Sequence, residues 1–137
     1  MKQDLKYKKL LNCAKKSRDF AFATKSEHKI GAAIEINSGV WGGCNIESNI
    51  SGLGICAERA AINHAIVNGQ RKFLRLLIYD KKRIFPCGSC LQYLLEFVDD
   101  LEIICADDKG YSIYSLKYLL PHGYISKHRE EKLKQNL

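Results

Sequence analysis

The chain has 137 residues, of which 46% are hydrophobic and 27% charged, and its formal net charge is +7. This length and composition suit one soluble globular domain with a core of its own. No apolar run approaches the roughly 20 residues of a membrane-spanning helix, which disfavours a membrane protein. The charged N-terminus does not resemble a secretory signal. We therefore expect a cytoplasmic protein.

The positive charge lies at the two ends of the chain. Residues 1–29 carry a balance of +6 and residues 117–137 a balance of +3, whereas residues 30–116 carry −2. Basic ends around a slightly acidic middle are typical of solvated helix faces. The distribution predicts no nucleic-acid partner and leaves a role in binding polyanions as the weaker alternative.

The hydrophobic pattern predicts an amphipathic helix, then a hairpin, then alternating strands and helices. The predicted helices cover about 7–21, begin at Cys56 and at Cys87, and end with a short helix near 115–120; strands are predicted at 30–36, 40–45, 74–79, 101–106 and 111–114. No linker or repeat divides the chain, so we predict a single domain over 1–137 with a charged tail at 124–137. The element order predicts an α/β fold, a three-layer α/β/α sandwich with a mixed five-stranded sheet.

Two short motifs contain candidate metal ligands. Cys87 and Cys90 are spaced so that both thiolates can reach one ion from the first turn of a helix, and Cys56 also stands at a predicted helix start. Catalytic zinc takes three protein ligands and keeps a fourth position for water. We therefore predict one zinc ion held by these three cysteines. A structural site completed by Cys44, Cys105 or a histidine is the alternative.

Glu58 follows the first of these cysteines by two residues. On the same first helical turn it can exchange protons with a reactant without binding the metal. Three cysteines with a nearby glutamate that is not a ligand are the signature described for zinc deaminases of nucleobases. Three thiolates on Zn²⁺ leave a net charge of −1, and we predict that the helix N-termini and the Arg59 guanidinium offset it.

The remaining cysteines fall in predicted helix or strands, and we expect Cys13, Cys44 and Cys105 to be buried thiols. His64 lies on the small-residue face of the helix that begins at Cys56. We expect it to pack on the core rather than to bind metal.

With these residues identified, the chain resembles the small homotetrameric cytidine deaminases over about residues 14–124. The shared runs are Gly-Ala-Ala at 31–33, Gly-Cys-Asn-Ile-Glu at 43–47, Gly-Ile-Cys-Ala-Glu-Arg at 54–59, Pro-Cys-Gly-Ser-Cys at 86–90 and Leu-Leu-Pro at 119–121. The resemblance implies the fold of that family and hydrolytic deamination of cytidine or deoxycytidine in pyrimidine salvage. It also implies one zinc ion per subunit and a homotetramer whose sites are shared between subunits.

The resemblance also implies substrate-binding residues. It implies that Asn45 and Glu47 bind the ribose, that Glu58 contacts the ring N3 and amino group, and that the backbone at Ala57 binds the base. Tyr124 matches an aromatic residue that reaches the site of a neighbouring subunit. Asn45 and Glu47 at alternate strand positions would share one face; a polar pair facing solvent is the alternative.

Three departures from the family lie around the substrate rather than the metal. His28 stands where the family has a phenylalanine that stacks on the pyrimidine, and an imidazole can stack there too. The run at 48–52 replaces one with Asn, Tyr and Pro, and Leu91 replaces an arginine. Members of a sister family, the blasticidin S deaminases, share the histidine and an ending like 119–124. Another cytosine nucleoside, such as blasticidin S, is therefore the alternative substrate, and a metal-binding module without turnover is a third interpretation. Both cytidine and deoxycytidine remain open as substrates.

Overall fold

A computed structural model describes residues 5–135 of the chain. In chain order its elements are α1 (Leu5–Asp19), β1 (Gly31–Ile36), β2 (Gly39–Cys44), α2 (Ala57–Val67), β3 (Phe73–Tyr79), α3 (Gly88–Leu94), β4 (Glu102–Asp107), β5 (Gly110–Ser115), α4 (Leu116–Leu119) and α5 (Lys127–Gln135). Within residues 5–135, none of these helices combines the length and the apolar character that crossing a membrane requires.

The five strands form one sheet in the order β2-β1-β3-β4-β5. Only β3 and β4 run parallel, joined by the crossover that contains α3, and the other neighbours are antiparallel. One row of apolar side chains crosses the sheet in register: Trp41, Ile34, Leu76, Ile103 and Tyr114. The prediction of a mixed five-stranded sheet is confirmed.

Helices cover both faces of this sheet. Because side chains alternate along a strand, Ala33 of β1 faces α1, in one cluster with Leu10 and Ala14. Its neighbours Ala32 and Ile34 face the opposite way, in the cluster that includes residues of α2 and α3. The three-layer α/β/α sandwich is therefore confirmed.

Both large helices approach the sheet at backbone distance. A Cβ atom added to Gly31 would lie 1.9 Å from the carbonyl oxygen of Ala14 in α1. One added to Gly43 would lie 2.2 Å from the main-chain nitrogen of Ala61 in α2. Gly31 thus lets α1 lie close to the sheet. Gly43 does the same for α2, whose first turn contains Glu58.

Several element boundaries differ from those predicted. The first helix ends at Asp19 instead of continuing to Ala21, and α3 ends at Leu94, followed by turns. The tail predicted as merely charged contains α5, which the hydrophobic pattern does not reveal because the helix is polar and exposed. Arg129 of α5 donates from Nε to the carbonyl oxygen of Leu95, 2.9 Å away, which attaches this helix to the end of α3.

Two expectations about single side chains were also wrong. Cys105 is buried as predicted, but Cys13 and Cys44 are only half-buried. His64 is exposed rather than packed on the core, with Nδ1 2.9 Å from the carbonyl oxygen of Gly42 and its ring edge-on to Trp41. Helical spacing identified the correct side of α2, but His64 lies at its margin, beside the edge strand β2.

Candidate active site

A cleft of about 710 Å³ opens where α2 and α3 begin. Its walls come from the segment before β1, the loop after β2, the first turn of α2 and the residues that precede α3. Cys56, Glu58, Arg59 and Cys87 all line it. Residues of both predicted motifs, at 56–59 and at 86–90, therefore line one cavity.

Cys56, Cys87 and Cys90 form a cluster whose Sγ atoms all lie within 4.8 Å of one another. The Cys56 and Cys87 sulfurs are 3.8 Å apart, and those of Cys87 and Cys90 are 3.4 Å apart. Tetrahedral zinc with Zn–S bonds of about 2.3 Å holds its sulfur ligands roughly 3.8 Å apart. The three thiols therefore fit one zinc ion without rearrangement of the chain.

Two of these thiols stand at helix starts. Cys56 is the N-cap residue of α2 and Cys87 that of α3, and neither side chain makes a capping hydrogen bond. The positive end of each helix dipole lies at its N-cap, where it favours the thiolate form of a cysteine. Within residues 5–135 the cluster contains neither Cys44, Cys105 nor a histidine, which disfavours a closed structural site with four ligands.

The thiols and Arg59 form one electrostatic unit. The hydrogen bond with Cys90 lowers the pKa of Cys56 to about 5, and Arg59, whose Nη2 lies 3.5 Å from Cys56 Sγ, also lowers it. The same hydrogen bond, followed by burial, raises the pKa of Cys90. The hydrogen bonds to Cys56 and Cys90 raise the pKa of Arg59. The Arg59 guanidinium therefore lies beside the thiols, and its role in offsetting their negative charge stays a prediction.

Glu58 is 3% exposed, on the first turn of α2. Burial raises the pKa of its carboxyl to about 7, and the neighbouring Cys56 contributes in the same direction. A carboxyl with a pKa close to neutrality exchanges protons readily in both directions. The residue predicted to move protons thus has an environment suited to that work.

Asn45 and Glu47 line the cleft. The sequence predicted that both belong to a strand, and this was wrong. β2 ends at Cys44, and Ile46 makes single bridges to Phe22 and Ile55. Asn45 Oδ1 accepts a hydrogen bond from the main-chain nitrogen of Ile30, and Nδ2 donates to the carbonyl oxygen of His28, each at 2.8 Å.

Glu47 binds the same segment a few residues earlier in the chain, at residues 25 and 26. Its carboxylate accepts hydrogen bonds from the main-chain nitrogens of Lys25, at 2.8 Å, and Ser26, at 2.9 Å, and from the Ser26 hydroxyl. The hydrogen bonds from Ser26 lower the pKa of Glu47. Ser26 was not predicted from the sequence. Its hydroxyl also accepts a hydrogen bond from the His28 nitrogen at 3.1 Å. Serine often makes such a local turn, and this is the signal that could have identified it.

The other predicted substrate-binding residues lie in three different places. His28 lines the cleft, and its Nε2 lies 2.5 Å from Oδ2 of Asp80. Ala57 is buried as the first residue of α2. Tyr124 is 74% exposed and does not line the cleft of its own chain. Its main-chain N–H donates to Gln92 Oε1 at 3.0 Å, and its carbonyl accepts from Gln92 Nε2 at 2.7 Å.

The sequence that forms this site also matches a known protein family. Residues 4–106 match the model of the cytidine and deoxycytidylate deaminase zinc-binding region. The chain belongs to this family. Among curated relatives, the cytidine deaminase of Mycoplasma genitalium is 34% identical over 109 residues, which are 76% of this chain and 84% of that protein. The cytidine deaminase of Sporosarcina psychrophila is 36% identical over 92 residues, 65% of this chain and 68% of that one.

Solved structures of cytidine deaminases have the same fold as this member of the family. The enzyme from Burkholderia pseudomallei superposes with a TM-score of 0.80 at 34% identity, covering 84% of this chain and 96% of that one. The enzyme from Mycobacterium tuberculosis gives a TM-score of 0.77 at 30% identity, covering 90% of this chain and all of that one, 100%. The zinc-binding character of the family agrees with the cluster of three thiols.

Proposed function

We propose that the protein deaminates cytidine or deoxycytidine hydrolytically, releasing uridine or deoxyuridine and ammonia. The observation that carries the proposal is the buried Glu58 carboxyl in the same cleft as the cluster of three thiols. The relatives named as cytidine deaminases support the same reaction.

The thiol cluster and Glu58 divide the chemistry between them. Zinc held by Cys56, Cys87 and Cys90 would supply a Lewis acid that makes water a better nucleophile at neutral pH. Glu58 accepts one proton from water as the oxygen bonds to C4 of the cytosine ring, and delivers it to N3. It then accepts the second proton, from the new hydroxyl on C4, and delivers it to the amine; the C4–N bond breaks, the C4 carbonyl forms and ammonia leaves. The Glu58 pKa of about 7 suits both directions of transfer. Arg59 stabilises the thiolates by offsetting part of their charge.

Substrate recognition is assigned to Asn45, Glu47 and His28, which line the same cleft, and to the backbone at Ala57. Asn45 and Glu47 still have unused hydrogen-bonding capacity after their contacts with the main chain, and we assign them to the sugar hydroxyls. The backbone at Ala57 is assigned to the base, and His28 to its ring. The imidazole at this position also favours a second candidate, deamination of another cytosine nucleoside such as blasticidin S. Initial rates on cytidine, deoxycytidine and blasticidin S with one preparation distinguish the candidates.

We further propose a cytoplasmic homotetramer that acts in pyrimidine salvage and whose sites are shared between subunits. The six free cysteines suit a reducing compartment. Support for shared sites comes from Tyr124, whose ring is exposed while Gln92 fixes its main chain. Light scattering should give four chains per particle. Mixing Tyr124→Ala with an inactive variant of Glu58 should restore part of the activity, and a fully active monomer would refute the proposal.

The central test replaces the proton-transferring carboxyl. Glu58→Ala should keep zinc and fold yet lose nearly all turnover, because removal of an acid–base group costs about 10²–10⁴-fold in rate. Glu96→Ala, which removes an exposed carboxylate, is the control and should keep the rate of the unmodified enzyme. Elemental analysis reports zinc in each sample. Near-normal turnover by zinc-loaded Glu58→Ala would exclude the assigned role.

A further inference from the structure

Among the described residues, two charged side chains are buried, Glu58 and Asp80. Asp80 follows β3 directly and is 4% exposed. A buried carboxylate is stable only where hydrogen-bond donors replace its lost hydration. The donors around Asp80 therefore show which parts of the molecule it connects.

Those donors come from three segments. Asp80 Oδ1 accepts from the main-chain nitrogen of Lys81 at 2.7 Å and lies 3.4 Å from Nη2 of Arg18 in α1. Oδ2 lies 2.5 Å from His28 Nε2, in the wall of the cleft. Arg18 also reaches this wall, because its Nε donates to the carbonyl oxygen of Lys29 at 2.8 Å. The carboxylate thus links α1 and the end of β3 to the segment before β1.

His28 is held at three points by these contacts. Its main-chain nitrogen is bonded to Ser26, its carbonyl oxygen to Asn45, and its Nε2 to Asp80. The side chain nevertheless remains 55% exposed and lines the cleft. Since an ionised carboxylate only accepts, Nε2 carries the shared hydrogen, and Nδ1 is the ring nitrogen that Asp80 does not engage.

Asp80 differs from Glu35 and Glu102, two carboxylates of the sheet that form ion pairs, because one of its partners is a histidine in the cleft. Glu35 and Glu102 both pair with Arg75, which lies between them on β3, and none of the three lines the cleft. An ion pair that served only to join strands would need no imidazole. Asp80 itself does not line the cleft, and of its three partners, Lys81, Arg18 and His28, only His28 lines it. His28 is therefore the most direct route from Asp80 to a ligand.

We propose that Asp80 is a positioning residue for substrate binding, which fixes His28 so that its ring face and Nδ1 meet the bound cytosine nucleoside. This inference rests on the proposed function and deepens it. Asp80 acts on binding, and proton transfer by Glu58 does not depend on it. Loss of Asp80 therefore raises KM and leaves kcat nearly unchanged.

The test is a double-mutant cycle on the full-length enzyme, with kcat and KM measured for cytidine. Asp80→Ala should raise KM about tenfold, the effect of losing one hydrogen bond to a charged group, with kcat within about twofold. In the His28→Phe background the same change should leave KM where His28→Phe alone puts it. Asp80→Asn, which keeps an acceptor oxygen, should raise KM less. Glu35→Gln, which weakens the other ion pair, should leave KM unaltered.

An equal rise of KM in both backgrounds would overturn the proposal, because Asp80 would then act through the fold and not through His28. An unchanged KM in Asp80→Ala would overturn it as well. Should Asp80→Ala fail to fold, Asp80→Asn replaces it in the same cycle. Absence of turnover by the unmodified enzyme would refute the proposed function alone; the cycle is then measured as cytidine binding by calorimetry, where absence of binding overturns the positioning role.

Discussion

Gly43→Ala should displace α2, the helix that carries the Glu58 carboxyl. The new Cβ would lie 2.2 Å from the Ala61 nitrogen, 2.5 Å from the Ala57 carbonyl oxygen and 2.8 Å from the Ala61 Cα. Carbon atoms pack at about 3.5–4.0 Å, so α2 must retreat by roughly 1 Å. All three atoms belong to the backbone of α2, so no side-chain rotation can relieve the clash.

The expected magnitude follows from this geometry. Overpacking of a core costs about 1–3 kcal/mol of unfolding free energy, and a clash with backbone belongs at the upper end, about 3 kcal/mol. In a chain of this length that corresponds to a fall of roughly 10 °C in melting temperature. Retreat of α2 also moves Cys56 away from Cys87, whose sulfur is now 3.8 Å distant, so zinc content should fall in parallel.

Thermal unfolding followed by circular dichroism, with zinc measured on the same samples, checks both effects. Gly39→Ala is the matched control, because a Cβ at position 39 has no atom within 4 Å and the residue lies in the same strand. It should change the unfolding free energy by less than about 0.5 kcal/mol. A Gly43→Ala protein that melts within about 2 °C of the control and keeps its zinc would contradict the expected displacement of α2.

Three further predictions concern other parts of the molecule. Gln92→Ala removes both hydrogen bonds that hold the main chain of Tyr124. Activity should fall several-fold, because each hydrogen bond is worth about 1 kcal/mol. Gln92→Glu keeps one acceptor and should lose less activity. Cys87→Ala should lose zinc in elemental analysis, and an unchanged metal content would contradict its assignment as a ligand. Burial, followed by the hydrogen bond to Asp108, raises the pKa of Tyr79 to about 12 from an ordinary value of 10.0, so the fold favours the neutral phenol. That contribution to stability is complete below pH 10.0 and disappears as pH rises toward 12; the urea midpoint should therefore fall across this range, and less so in Tyr79→Phe.

The clustering of the three thiols near Glu58 could be predicted from sequence because the spacing within each motif is local. Cys87 and Cys90 share one helical turn, and Glu58 lies two residues after Cys56, so helix geometry alone sets most of the distances within each motif. The meeting of the two motifs, 31 residues apart, needed only the assumption of a single metal ion. The sheet was predictable for a similar reason, since most of its strands are short apolar runs bounded by turn residues.

The supporting contacts were not predictable in this way. Asp80 and His28 are 52 residues apart, and Gln92 and Tyr124 are 32 apart. Neither pair has a characteristic spacing, because the contact depends on how α1, β3 and the last loop pack together. The polar helix α5 escaped prediction because it has no hydrophobic period, and a polar contact such as that of Arg129 with Leu95 leaves no such pattern in the sequence.

The segment that forms one wall of the cleft is attached mainly by its backbone. Glu47 binds the nitrogens of Lys25 and Ser26, Asn45 binds the main chain on either side of residue 29, and Arg18 binds the carbonyl of residue 29 itself. Contacts to main-chain atoms do not depend on which side chain is present. Substitutions at residues 25 and 28 can therefore alter the surface offered to a ligand while the loop keeps its course. This arrangement makes these two positions good first targets for engineering the selectivity of the cleft.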